Sequence, residues 1–306
     1  MRGRNSIHRI LRACAAEIPA VERTRARARR RSFEASGRKP WSPGYVAYRD
    51  DYVSAALADG DLLRAFHDAT PLPDGYGIGL DERCIELPWL FAQLGCESGR
   101  LLDAGSTLNH SHLVQRPELQ IRELHVLTLA PEATAFWRDG ISYLYADLRE
   151  IPIRDAYYDD VASISTLEHI GHDNAVYVAG RKSFEAGEGD HLDAARELAR
   201  VLKPGGRLLV TVPFGKGHDY GTFRVFDSTS LAQLVDVVPG TVESRSFYRY
   251  SRNGWQIADE AACAESAYAA EVARAGAEGR PPDPERLDDD RAAAARAVAC
   301  VEFRKS

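Results

Sequence analysis

The chain has 306 residues, 44% of them hydrophobic and 27% charged, with a formal net charge of −6. That length fits one large α/β domain with additions or two modest ones, and that composition excludes disordered and fibrous classes. No apolar run approaches the roughly 18 residues of a membrane span and no signal-peptide core follows the start. The five cysteines (Cys14, Cys84, Cys96, Cys263, Cys300) form no CxxC pair. The expectation is a cytoplasmic protein in a reducing compartment, without structural zinc.

The charge is uneven. Residues 1–40 hold twelve Arg and Lys against three Glu, which leaves the rest of the chain at −15. The run Arg23, Arg25, Arg27, Arg29, Arg30 and Arg31 has the chemistry to touch nucleic acid or an anionic membrane surface. It lacks interleaved aromatics for base stacking and precedes an acidic body. A solvated, partly helical arm over residues 1–36 is therefore expected, with no specific nucleic-acid partner.

Next, in chain order, comes a helical cap or lid over 37–95. It opens on the turn Pro40-Trp41-Ser42-Pro43-Gly44-Tyr45 and continues with helical patterning through Tyr52, Leu57 and Leu62. Gly75-Tyr76-Gly77-Ile78-Gly79 reads as a flexible loop leading into a helix over 81–91. From there strand and helix signals alternate through 96–306. Strands are predicted at 100–103, 123–129, 142–145, 160–164, 207–212, 242–250 and 297–304. Helices are predicted at 110–115, 131–138, 173–178 and 192–202. Such alternation argues for a doubly wound, mainly parallel sheet. Residues 256–290, with Pro281-Pro282 and Asp288–Asp290, read as a surface insertion before the last strand.

In open α/β sheets ligands bind beyond the carboxyl ends of the strands. Asp103, Gly105, Ser106, Thr107 and Asn109 lie at the first such end, where backbone N–H groups and small polar side chains can meet an anion. Thr128 ends the second strand, at the place where an acid usually accepts both ribose hydroxyls. Glu132 follows, about one helical turn on. Asp147 and Leu148 follow the third strand, where a carboxylate can accept from an adenine amino group. The fourth ends in the most polar cluster of the chain, Ser165-Thr166-Leu167-Glu168-His169-Ile170-Gly171-His172-Asp173-Asn174.

Asp103–Gly105, Tyr145–Leu148, Asp160–His169 and Leu198–Pro213, in this order, resemble the motif series of class I S-adenosylmethionine-dependent methyltransferases. "LDAGSTLNH", "TLAPE", "DLREIP", "STLEHIGHDN" and the upstream "DERC-E-PWL" are similar to a bacterial subgroup associated with glycan or polysaccharide biosynthesis. The resemblance implies a seven-stranded Rossmann-like sheet, S-adenosylmethionine as cofactor and a small-molecule or glycan acceptor. It further implies that Asp103, Gly105, Ser106, Thr107, Asn109, Thr128, Asp147, Leu148 and Ser165 line the donor site. Two departures stand out. The glycine-rich turn is reduced to Gly105, with Thr107 and Asn109 at the later glycine positions. The acid of the second strand is Thr128.

Methyl transfer to a hydroxyl needs collinear donor and acceptor and a group that takes a proton. His169 and His172, with Glu168 between strand and histidines, stand where a general base belongs. A metal-assisted variant would draw ligands from Glu168, His169, His172 or His218, with Ser165 replacing the family's first Glu. A degenerate fold serving as a scaffold in glycan assembly is the non-enzymatic alternative. Lys216–Tyr220 is a rim loop, and Trp41, Tyr45, Tyr76 and Trp89 are lid candidates for stacking on a sugar.

Overall fold

The computed structural model describes residues 28, 30–172, 187 and 189–306. Arg23, Arg25, Arg27 and Arg29 of the basic run lie outside them, as does the helix expected at 173–178. Strand β1 (Gly99–Ala104) shows how the layers arise. Leu101 enters one core and Leu102 the other, because successive strand side chains point to opposite faces. It is followed by β2 (Arg122–Thr128), β3 (Ser142–Tyr145), β4 (Tyr158–Ile164) and β5 (Leu202–Pro213), and these five strands pair in parallel with one another. A two-residue ribbon follows, β6 (His218–Asp219) with β7 (Arg224–Val225). Strands β8 (Thr241–Ser251), β9 (Gly254–Ala258) and β10 (Ala297–Arg304) complete the main sheet in the order β3-β2-β1-β4-β5-β10-β8-β9. β10 is antiparallel to both β5 and β8.

The main sheet thus has eight strands where the resemblance implies seven. The extra one is β9, whose last three residues, 256–258, fall within the expected surface insertion. Gly254, at φ 94°, turns the chain back where any side chain would collide with the Tyr76 carbonyl. Trp255 then donates its backbone N–H to Tyr76 O at 2.7 Å and its ring N–H to Leu80 O at 3.0 Å.

Helices α1 (Tyr45–Leu57), α2 (Gly60–His67) and α3 (Arg83–Leu94) share one hydrophobic cluster with Leu101, Leu124 and Leu209. The opposite face is covered by α4 (Asp190–Val201) and α5 (Ser228–Val237), packed on Leu102, Val161 and Leu208. A last helix, α6 (Ala270–Ala277), lies beside the β6–β7 ribbon through Ala273 and Phe223. The cap aromatics are packing groups. Tyr45, Tyr76 and Trp89 are buried in the shared core, and Trp41 donates to Ala293 O at 2.6 Å. α3 tolerates Pro88 because the carbonyl it leaves without a helical donor, Cys84 O, accepts the Tyr76 hydroxyl at 2.6 Å. The 75–79 loop is accordingly pinned, with Gly77 N donating to the Tyr52 hydroxyl and Gly79 N to that of Tyr250, both at 2.9 Å.

Two predicted helices shrink. Residues 110–115 keep a single turn, Ser111–Val114, before Pro117 starts another. Residues 131–138 are loop up to the 3-10 turn Trp137–Asp139, because side chains take over their backbone groups: Thr134 O accepts from Asn109 and Phe136 N donates to Tyr143. Among the described residues no helix is long and apolar enough to cross a membrane.

At the far end of the strands Asp160, 4% exposed, ties the layers together. It accepts from Arg122 and, at 2.8 Å, from Arg207 Nε; these guanidinium groups also donate to Leu94 O and Gln93 O at the end of α3. Removing this carboxylate leaves buried cations uncompensated. Asp160→Ala is expected to lower the unfolding free energy in urea by about 3–5 kcal/mol. Asp159→Ala, at a half-exposed pair, should cost about 1 kcal/mol or less.

Candidate active site

The chain reaches the carboxyl end of β1 with Asp103 fully buried. Its carboxylate accepts the N–H groups of Thr107 at 3.2 Å and Leu108 at 2.8 Å, folding the turn over itself. Burial pushes this carboxyl up to about 7, against the pull of the two N–H groups. Gly105 sits at φ 119°, and a side chain there would collide with Thr166 of the β4 tip. One glycine is therefore enough to bring two strand tips into contact. Ser106 carries the strain of the turn at φ 65°, with its buried hydroxyl unpartnered.

The two polar residues at the missing glycine positions turn inward. Thr107 donates to Ile164 O at 2.9 Å. Asn109 donates to Glu132 at 2.8 Å and accepts from the Tyr143 hydroxyl at 2.7 Å. This pair sets the Glu132 carboxylate near the end of β2, the strand that ends in Thr128. Glu132, on the β2–β3 loop, lines a cavity of about 220 Å³ together with Thr128, Leu148, Gly105, Thr166 and His169. Asp147 does not line it. Although burial opposes this, Arg149 beside Asp147 holds its carboxyl below the usual range, and the same guanidinium reaches Asp190 at 2.6 Å.

Beyond β4, Ser165 adopts φ 42° and donates to Glu86, which also accepts from Thr211 of β5 at 2.7 Å. Glu86 comes from α3 and is fully buried; its second oxygen holds Arg83 at 2.8 Å, and Arg83 lines the cavity. Arg83, Glu86, Glu132, Thr166 and Thr211 were not among the expected site residues. The "DERC-E-PWL" segment carried the first two, but a motif in a helix before β1 does not announce that it reaches the β4 tip.

Residues 94–210 match the family model described as "Methyltransferase domain". This stretch is a methyltransferase domain. Its sheet order, with an antiparallel β10 between β5 and β8, is the class I S-adenosylmethionine-dependent arrangement. Over 111 residues the chain is 29% identical to the ubiquinone/menaquinone biosynthesis C-methyltransferase of Pseudomonas fluorescens (strain SBW25), covering 36% of each protein. The chain thus spans about a third of the length of that relative. Among solved structures, it is similar to the 1,6-didemethyltoxoflavin-N1-methyltransferase of Burkholderia thailandensis, solved with 1,6-didemethyltoxoflavin and S-adenosylhomocysteine. That match has 15% identity and a TM-score of 0.43, covering 82% of this chain and 88% of the other. The YcgJ protein of Bacillus subtilis is 14% identical over 70% of this chain and 94% of its own, with a TM-score of 0.43.

The histidines of the methyltransferase domain separate. His169 lines the cavity, its Nδ1 facing Thr222 O at 3.1 Å, and burial pushes its imidazole down to about 4. A carbonyl can only accept, so Nδ1 carries the proton and Nε2 is the basic nitrogen. His172 does not line the cavity, and its Nε2 accepts from Arg224 Nε at 3.1 Å. Glu168 is buried beside them with Oε2 unpartnered, and burial drives its carboxyl well above the usual range. Among the described residues no group of three or more His, Cys, Asp and Glu is arranged to hold a metal ion. Lys216–Tyr220 stands outside the cavity, with Tyr220 stacked on Phe223 at 4.9 Å.

At the start of α3, burial and the neighbouring Asp81 raise Glu82 to about 8. Its folded-state value lies above the unfolded 4.5, so the folded state holds more protons between those limits. The contribution of Glu82 to stability is full below about pH 4.5 and is lost as pH rises toward 8. The melting temperature is expected to fall between pH 5 and 9, and Glu82→Gln to flatten that fall; an unchanged slope in the variant would assign the effect elsewhere.

Proposed function

We propose that the whole chain transfers a methyl group from S-adenosylmethionine to a hydroxyl of a small molecule or glycan. The observation that carries this reading is the cavity at the carboxyl ends of β1, β2 and β4, closed on one side by His169. When bound, the donor supplies an electrophilic methyl on a sulfonium. The residues present suit it. Glu132 faces the second-strand position where ribose hydroxyls are accepted, Leu148 offers an apolar wall for a purine, and Gly105 lets backbone approach the ligand. Thr107, Thr128 and Ser165, which also line the cavity, complete the donor site, while Asp103, Ser106, Asn109 and Asp147 act through the loops they hold. The cavity, about 220 Å³, is smaller than the roughly 300–1,000 Å³ of small-molecule sites.

His169 keeps an unprotonated Nε2 down to about pH 4, which suits it to take the acceptor's hydroxyl proton as the oxygen–carbon bond forms. Its low basicity makes it a partner for late proton removal. A binding or scaffold subunit is the second reading, favoured by Thr107 and Asn109 being spent inside the fold.

His169→Ala should reduce methyl transfer to hydroxylated small molecules or glycans by about 10²–10⁴-fold, the range for losing a general base, with donor affinity within a few fold. The acid limb of the wild-type rate should lie nearer pH 4 than the pH 6.5 of an ordinary histidine. Unchanged turnover would remove His169 from the mechanism.

A further inference from the structure

Among the described residues lining the cavity, Arg83 is the single arginine or lysine. It is the first residue of α3, so it comes from the cap and not from the strand tips. Its Nη1 donates to Glu86, and the guanidinium makes no other hydrogen bond to a described residue. Glu86 is in turn held by Ser165 and Thr211, so the arginine is positioned from the β4 and β5 tips. Of the other nearby acids, Asp81 is engaged by Arg49 at 2.9 Å, and burial lifts Glu82 to about 8 and Glu168 well above the carboxylate range.

The opposite wall is poor in donors. The Thr107 hydroxyl is spent on Ile164 O, and the Asn109 amide on Glu132 and Thr134 O. An anionic ligand group in this cavity therefore meets a guanidinium with N–H groups to give, and few other side-chain donors. The sheet order gives direction. Glu132 stands on the β2 side and Arg83 on the β4–β5 side, with the Gly105 turn of β1 between. A ligand with a ribose at one end and a carboxylate at the other fits that polarity.

We propose that Arg83 binds the carboxylate at the methionine end of the methyl donor, so that the cap supplies the anion contact which the thinned glycine turn lacks. This rests on the donor reading above. The planar fork of an arginine matches a carboxylate in geometry and forms strong charge-assisted hydrogen bonds. Glu86 is the positioning residue: it fixes the fork and offsets its charge in a buried place.

The test is a binding cycle by calorimetry on the full chain. Wild type, Arg83→Gln and Arg83→Lys are titrated with S-adenosylhomocysteine and with its decarboxylated analogue, which lacks only the carboxylate. The lysine variant keeps a cation beside Glu86 and so guards against misfolding. S-adenosylhomocysteine is expected to bind roughly 10- to 100-fold more weakly to both variants, in keeping with loss of hydrogen bonds to a charged group. The analogue's affinity should change less than about 3-fold, since the contact in question is absent for it. Equal weakening of both ligands would make Arg83 a merely structural residue and overturn the proposal, as would unchanged S-adenosylhomocysteine binding. If wild type binds neither compound, the donor reading itself fails and this inference with it.

Discussion

The carboxylate of Glu86 is the constraint on which the site depends. It is fully buried, yet it comes from a helix laid down before the first strand. A buried carboxylate is costly unless its oxygens are hydrogen-bonded. Here the hydroxyls of Ser165 and Thr211 satisfy one oxygen and Arg83 the other. Those three contacts join α3 to the tips of β4 and β5. They also hold Ser165 at a positive φ, a strained conformation that needs surrounding structure to persist. The cap is therefore a structural part of the site.

A second constraint explains the thinned glycine turn. Extra glycines are useful where backbone must pass close to a ligand or another chain segment. In the β1 turn Gly105 meets such a need, against Thr166. Thr107 and Asn109 do other work, the first tying the β1 turn to β4 and the second carrying Glu132 to the cavity. Under the proposed donor site, Asn109, at a position where a glycine is expected, holds the carboxylate that stands in for the missing second-strand acid.

Much of the fold was legible because strand signals are local. The alternation of Leu101 and Leu102, and the apolar runs of β4, β5 and β10, mark buried strands without any tertiary knowledge. Strand β9 was not legible, since its place at the sheet edge depends on Gly254 passing under Tyr76, far off in sequence. Residues 131–138 carried helical composition, but their backbone is claimed by Asn109 and Tyr143. At the site, strand ends together with the family resemblance pointed to Gly105, Thr107, Thr128, Leu148, Ser165 and His169, all of which line the cavity. Asp147 and His172 were placed on the right loops, yet arginines occupy them. Arg83 and Glu86 were out of reach, because nothing local to α3 says which strand tip it meets.

The proposed function requires this cavity to bind a methyl donor despite its single glycine. Titration of the full-length wild-type protein with S-adenosylhomocysteine tests it most directly. Saturable heat at one site per chain, with a dissociation constant in the micromolar range, is the predicted result. No heat at millimolar ligand would contradict the claim and leave a methyltransferase fold that serves as a scaffold.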